Sequence, residues 1–151
     1  MGGKLAGGNP MRVLFVCTHN SARSQMAEAL LREMGGDAVD SQSAGTHPGT
    51  VHPLAIRAMA EIGIDISGAR TKSTDSLLNE RFDYVITLCD DANESCPIFP
   101  NAAHRLHWSF PNPSEATGSE EERLAVFRSI REGIRERLAS LLQEAEKESG
   151  S

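Results

Sequence analysis

A cysteine and an arginine separated by five residues have the clearest potential for chemistry in this sequence. Cys17 follows the apolar run at 12–16, and Arg23 precedes the helical pattern at 24–34. A loop that leads from a buried strand into a helix presents backbone N–H groups and the positive end of the helix dipole, which together bind a tetrahedral oxyanion. These groups and Arg23 favour the thiolate of Cys17. The pattern therefore predicts an activated nucleophile in an anion-binding loop.

The other residues of this loop have predicted roles as well. Arg23 is expected to hold two oxygens of the anion in a bidentate fork. Asn20 and Ser24 are suited to hydrogen-bond the sulfur and brace the loop. His19 either adds positive charge to the loop when protonated or is a solvent-facing histidine. The predicted oxyanion-binding residues are Thr18, His19, Asn20, Ser21, Ala22 and Ser24.

Strand and helix patterns alternate along the chain and give the loop its setting. Strands are predicted at 12–16, 39–44, 83–88 and 104–108, and helices at 24–34, at 52–62 and after Ser119, which forms a capping box with Glu122. This alternation predicts an α/β fold, a single domain at 11–145 with a four-stranded parallel sheet flanked by about four helices. Residues 1–10 are expected to be a disordered extension or a cloning remnant, and 146–151 a flexible tail.

Composition excludes several classes of function. The 151 residues carry 15 Lys and Arg against 21 Asp and Glu, a net charge of −6 without a basic run, which argues against nucleic acid as a partner. No apolar stretch approaches the ~20 residues that span a bilayer, and residues 1–10 lack the apolar centre of a secretory signal. We therefore expect a cytoplasmic protein. Three cysteines, an odd number, do not suggest a framework of structural disulfides.

The residues around the loop resemble the low-molecular-weight phosphotyrosine phosphatase fold, and particularly its arsenate reductase branch. The resemblance rests on FVCTHNSARSQMAEALL at 15–31, SAGT at 43–46, GIDISG at 63–68 and VITLCDDANESCPIFP at 85–100. It extends over nearly all of the chain from Met11 to about Leu142. It implies a phosphatase-like four-stranded parallel sheet, in agreement with the strand and helix pattern.

The resemblance also implies a relay of three cysteines that reduces arsenate. Cys17 attacks arsenate, Cys89 then forms a disulfide with Cys17 as arsenite leaves, and Cys96 takes over Cys89 by thiol–disulfide exchange. Thioredoxin, or another thiol reductant such as glutathione, would reduce the final disulfide. Phosphate and sulfate are expected to compete with arsenate, and the protein is expected to be a monomer without a cofactor. The alternative for the second and third cysteines is one packed behind a strand and one in a loop by chance.

Two positions depart from the family pattern. Asn112 stands where many relatives have an aspartic acid that protonates the leaving group, and it is retained here only as a possible residue of the leaving-group loop. Some relatives bind potassium through residues equivalent to Asn20, Glu28 and Ser43 and an additional acidic side chain. The stretch 70–73 has no acid at that place, and Lys72 could supply the positive charge instead, so no metal is predicted. Two other functions remain open: a low-molecular-weight tyrosine phosphatase, and an oxyanion-binding or redox-sensing protein without turnover.

Overall fold

The computed structural model describes residues 10–89 and 101–150, with side chains described as far as Lys147. Four strands and three α-helices form the architecture of these residues. The strands are Met11–Cys17 (β1), Val39–Gly45 (β2), Phe82–Thr87 (β3) and Ala102–His107 (β4), and the helices are Arg23–Gly35 (α1), Pro53–Ala60 (α2) and Glu120–Gly150 (α3). Short 3₁₀ helices cover Gly36–Ala38, Thr74–Leu77 and Pro113–Glu115.

The four strands form one parallel sheet in the order β2-β1-β3-β4. The predicted fold class is therefore confirmed, and each predicted strand lies within two residues of its observed position. Strand β1 lies between β2 and β3, and residues 13–17 of its apolar run are buried. The carboxyl ends of β1 and β3 meet at one edge, where ligands of parallel sheets bind.

The long helix α3 supports the site from the side of the sheet that carries α1 and α2. Its predicted apolar stripe is buried, and consists of Leu124, Phe127, Ile130, Ile134, Leu138 and Leu141. The predicted capping box is also present, because Ser119 N donates to Glu122 Oε1 at 2.9 Å and Glu122 N donates to Ser119 Oγ at 3.1 Å. The helix continues to Gly150, so residues 146–150 are helical where the sequence predicted a flexible tail. Glu144, Glu146 and Lys147 are good helix formers, which explains the extension.

None of the helices in the described ranges is both long and apolar enough to cross a membrane.

Candidate active site

The loop between β1 and α1 directs its carbonyl oxygens outward. Three of them accept hydrogen bonds from backbone N–H groups of the segment 45–52, which we call the bracing segment. The pairs are His47 N to Thr18 O at 2.8 Å, Gly49 N to His19 O at 3.0 Å and His52 N to Ser21 O at 3.0 Å. A loop held by its carbonyls from outside leaves its N–H groups for the interior.

The N–H groups of this loop form an anion nest. Within residues 10–89 and 101–150, the amides of Thr18–Ala22 donate to no protein acceptor. Asn20 has a positive φ of 53°, which helps successive N–H groups converge. Ala22, the N-cap of α1, offers no side-chain acceptor to the first turn of the helix. Unpaired N–H groups and the helix dipole therefore converge on the end of β1, as an oxyanion site requires.

Two histidine side chains anchor the bracing segment: His52, which belongs to it, and His19, which belongs to the loop. His52 caps α2 because its Nδ1 accepts the N–H of Leu54 at 3.0 Å, and burial together with the charge of Arg123 lowers the pKa of His52. Its ring is therefore neutral at pH 7. His19 is exposed, and its Nδ1 donates to the carbonyl of His47 at 2.9 Å. The exposed ring of His19 thus links the loop to the bracing segment, and this hydrogen bond fits both predicted roles of His19.

The amide of Asn20 is the hydrogen-bonding centre of the site. It is fully buried, and its Nδ2 donates to Ser24 Oγ at 2.8 Å and to Ser43 Oγ at 2.9 Å. Its Oδ1 accepts from Lys72 N at 2.9 Å and from Gln25 Nε2 at 3.1 Å. The backbone N–H of Lys72 can only donate, so the orientation of the amide is fixed by this contact. All four hydrogen-bonding positions of Asn20 are used.

This orientation determines how Ser24 meets the nucleophile. The hydroxyl of Ser24 accepts from Asn20, so its own hydrogen is available to donate to Cys17 Sγ, which lies 2.9 Å from Ser24 Oγ. An O–H donor stabilises a sulfur that carries negative charge. Cys17 is 2% exposed, so the structure places the predicted nucleophile inside this hydrogen-bonded loop.

The side chain of Arg23 is buried and held by two main-chain carbonyls. Its Nη1 donates to the carbonyl of Leu88 at 3.3 Å, next to the end of β3, and to the carbonyl of Phe110 at 3.0 Å. Arg23 is 3% exposed. The guanidinium therefore lies between the loop, β3 and the segment that contains Asn112.

The second cysteine lies at the same edge of the sheet as the first. Cys89 is fully buried and belongs to the same core cluster as Cys17. Leu88 N donates to Val16 O at 2.9 Å, so the residues that precede the two cysteines are bonded across β1 and β3. Cys96, the third predicted cysteine, lies outside the described residues.

Asn112 is occupied as a local cap. Its Oδ1 accepts from Ser114 N at 3.1 Å and from Ser114 Oγ at 2.7 Å, at the start of the 3₁₀ helix Pro113–Glu115. The carbonyl of Phe110, two residues earlier, accepts from Arg23. The segment of Asn112 is thus tied to the site, while its side chain stabilises a turn.

The residues equivalent to the potassium ligands of some relatives do not fit a potassium ion. Glu28 Oε1 accepts from Ser43 Oγ at 2.5 Å and lies 3.7 Å from Lys72 Nζ, while Glu28 Oε2 pairs with Arg32. Two cationic side chains already balance this carboxylate. The ammonium group of Lys72 lies beside Glu28, where the sequence predicted that it could supply positive charge.

Sequence reasoning missed three residues that shape the site, namely Gln25, Gly45 and Phe110, and considered Ser43 only as the equivalent of a potassium ligand. Ser43 and Gly45 lie in the motif SAGT, which carried part of the family resemblance. Gln25 and Phe110 gave no signal, because one is a helical residue and the other acts through its main-chain carbonyl.

Gly45 is required by the close approach of β2 to the loop. A Cβ at this position would lie 2.6 Å from Thr18 O and 2.8 Å from Asn20 N, distances that real Cβ atoms do not adopt. We expect Gly45→Ala to displace the anion nest and lower kcat/KM for an oxyanion substrate by ~10²-fold. Steady-state kinetics with Gly68→Ala as the control tests this, since a Cβ at Gly68 meets open space. Wild-type activity of Gly45→Ala would contradict the prediction.

The fold and this geometry agree with the relatives of the chain. Residues 12–150 match the family described as low molecular weight phosphotyrosine protein phosphatase. The chain therefore belongs to this family.

Relatives similar to this chain are arsenate reductases, which are enzymes, as the resemblance predicted. An arsenate reductase of Halalkalibacterium halodurans is 42% identical over 135 residues, which are 89% of this chain and 97% of the relative. A solved arsenate reductase in a phosphate-binding state superposes with a TM-score of 0.73 at 32% identity, over 89% of this chain and 98% of the other. A thioredoxin-dependent arsenate reductase of Corynebacterium glutamicum gives a TM-score of 0.70 at 33% identity, over 92% of this chain and 63% of the other.

Proposed function

We propose that this protein reduces arsenate to arsenite through a relay of Cys17, Cys89 and Cys96, and that a thioredoxin-like dithiol restores the starting thiols. The observation that carries the proposal is the hydrogen bond from Leu88 N to Val16 O, at 2.9 Å, which brings two buried cysteines to one edge of the sheet. A phosphatase needs only the first of these cysteines, whereas a reductase needs a second sulfur.

In the first step, the thiolate of Cys17 attacks arsenic while the nest amides and Arg23 hold the arsenate oxygens. One oxygen leaves as water after protonation, and a bond between sulfur and arsenic(V) remains. The loop amides that lack protein acceptors support this step. So does the hydroxyl of Thr18, which is buried without a hydrogen-bond partner and would be satisfied by an anion oxygen.

In the second step, Cys89 attacks the sulfur of Cys17. A disulfide forms, the bond between sulfur and arsenic breaks, and arsenic keeps the electron pair and leaves as arsenite. Two thiols are oxidised and arsenic is reduced by two electrons. The ladder of β1 and β3 ends at Val16 and Thr87, so Cys17 and Cys89 both lie just beyond the last paired residues of neighbouring strands. Both are buried in one core cluster, and this shared burial supports the bond.

In the third step, Cys96 attacks Cys89 and releases Cys17 as a thiolate. The final disulfide then joins Cys89 and Cys96, and an external dithiol reduces it. The thioredoxin dependence of the Corynebacterium glutamicum relative supports thioredoxin as that dithiol. Such a cycle suits the reducing conditions of the cytoplasm.

Arsenite formation by the purified protein tests the proposal. The assay contains arsenate, thioredoxin, thioredoxin reductase and NADPH, and NADPH oxidation is compared with arsenite measured directly. We expect one arsenite for each NADPH, with phosphate as a competitive inhibitor. Arsenate binding without arsenite release would instead identify an oxyanion-binding or redox-sensing protein.

A phosphatase is the second candidate function, because Cys17, Arg23 and the nest would also bind a phosphate ester. Asn112 cannot protonate the alcohol that leaves, since an amide is not a general acid. The absence of a general acid slows hydrolysis of a phosphate monoester most. Arsenate is less affected, because it can carry a proton on the departing oxygen.

We expect Asn112→Asp to raise hydrolysis of nitrophenyl phosphate by at least ~10²-fold, the lower range of general acid catalysis. Aspartate also keeps the acceptor for Ser114, so the turn is preserved. The gain should be largest at acid pH. It should be larger still in Asn112→Asp/Ser114→Ala, because the Ser114 hydroxyl favours the ionised form of the carboxylate. Asn112→Ala serves as the control. Equal rates for the wild-type protein and the Asp variant at every pH would show that position 112 does not face the leaving group.

A further inference from the structure

Gly133 lies in the interior of α3 and has no local reason to be glycine. The described residues with positive φ include the glycines Gly36, Gly63 and Gly118, and Gly133 has ordinary helical geometry. Glycine within a helix is less favourable than alanine because it loses more backbone freedom on folding. The reason for Gly133 must therefore come from a neighbour.

That neighbour is the ring of Phe110. A Cβ on Gly133 would lie 2.9 Å from Phe110 Cε1 and 3.5 Å from Phe110 Cζ. The ring therefore packs directly on the backbone of α3, at a position that any side chain on residue 133 would fill. Phe110 is partly buried and packs against the main core cluster.

The main chain of the same residue holds the arginine of the site. The carbonyl of Phe110 accepts from Arg23 Nη1 at 3.0 Å. Pro111 follows and confines the backbone of Phe110 to extended conformations, which limits how the carbonyl can turn relative to Cβ. A shift of the ring on α3 is thus transmitted to the guanidinium.

We propose that Gly133 is a positioning residue for Arg23, which it serves by leaving space for the ring of Phe110. A side chain at position 133 displaces the ring, moves the Phe110 carbonyl and turns the guanidinium away from the oxyanion. This inference rests on the proposed binding of an oxyanion by Arg23. We expect a ~10-fold loss of oxyanion affinity, smaller than the ~10²-fold cost of a full 1 Å misplacement.

Phosphate protection of Cys17 measures this effect without turnover. Wild-type protein and Gly133→Ala are treated with iodoacetamide over a phosphate titration, and mass spectrometry follows alkylation of the Cys17 peptide. We expect half-protection of Gly133→Ala to need ~10-fold more phosphate, with a matching rise in KM for arsenate. The melting temperature should change little, because the better helix propensity of alanine and the displacement of the Phe110 ring act in opposite directions. Ser129→Ala, an exposed position one turn earlier, is the control and should match the wild-type protein.

A second substitution separates positioning from a general effect on α3. Leucine at position 110 keeps the carbonyl but lacks the ring atom that a Cβ on residue 133 would meet. We expect Phe110→Leu and Phe110→Leu/Gly133→Ala to be protected at the same phosphate concentration. Wild-type protection of Gly133→Ala, or an equal loss in both backgrounds, would overturn the inference. Absence of phosphate protection in the wild-type protein would refute the oxyanion site itself, whereas protection without arsenite formation would refute only the proposed function.

Discussion

Replacing Cys17 by serine is expected to abolish arsenate reduction and any hydrolysis of phosphate esters. A single thiolate starts both reactions, and a serine hydroxyl without a neighbouring base is a far weaker nucleophile. Loss of a covalent nucleophile lowers kcat by roughly 10⁶-fold in other enzymes. Arsenite formation and nitrophenyl phosphate hydrolysis are the two measurements.

Measurements of the fold and of anion binding in the same variant serve as the control. The nest amides and Arg23 do not depend on the sulfur, so the circular dichroism spectrum should be unchanged and calorimetry should still detect phosphate. An inactive variant that binds phosphate assigns the chemistry to Cys17. Turnover at the wild-type rate in Cys17→Ser would refute the assignment of the whole site.

Replacing Cys89 by serine is expected to separate the two activities. Catalytic release of arsenite should stop, because the second step needs a second sulfur. Hydrolysis of nitrophenyl phosphate should remain close to its wild-type rate, since that reaction requires only Cys17 and Arg23. Assays of both substrates on one preparation make this comparison. Equal loss of both activities would mean that Cys89 has a structural role.

Burial of Cys89 requires a control for stability. The residue is fully buried, and a serine hydroxyl there must find a hydrogen-bond partner or destabilise the core. Cys89→Ala removes the sulfur without adding a polar group, and the two variants should show the same separation of activities. Cys96→Ser should release one arsenite for each protein molecule and then stop, because the bond between Cys17 and Cys89 still forms.

The sequence was sufficient to predict the fold and the position of Cys17 and Arg23 between β1 and α1, because the relevant signals are local. The apolar run of β1, the loop of Cys17 and the periodicity of α1 are adjacent in the chain. The order of the elements then restricts the sheet topology. The apolar stripe of α3 and its capping box are also local patterns, and both were predicted correctly.

The supports of the site depend on contacts between distant parts of the chain, and these were not predicted. Asn20 meets the backbone of Lys72, and Arg23 meets the carbonyl of Phe110, across 52 and 87 positions of sequence. Every residue has a backbone N–H or carbonyl to offer, so residue type does not reveal which one a side chain meets. The role of Gly133 is hidden for the same reason, since only the folded chain brings Phe110 onto α3.

The amide of Asn20 has a consequence for how this enzyme can diverge in evolution. The position demands two properties at once: a left-handed backbone, and a side chain with two donors and two acceptors in use. Glycine satisfies the backbone but makes none of the hydrogen bonds, and aspartate tolerates the backbone but lacks the donors. Glutamine has the right groups on a side chain that is one carbon too long. Asparagine is thus the single residue type that satisfies both demands, and a lineage cannot exchange it by any one substitution without changing the surroundings of its nucleophile.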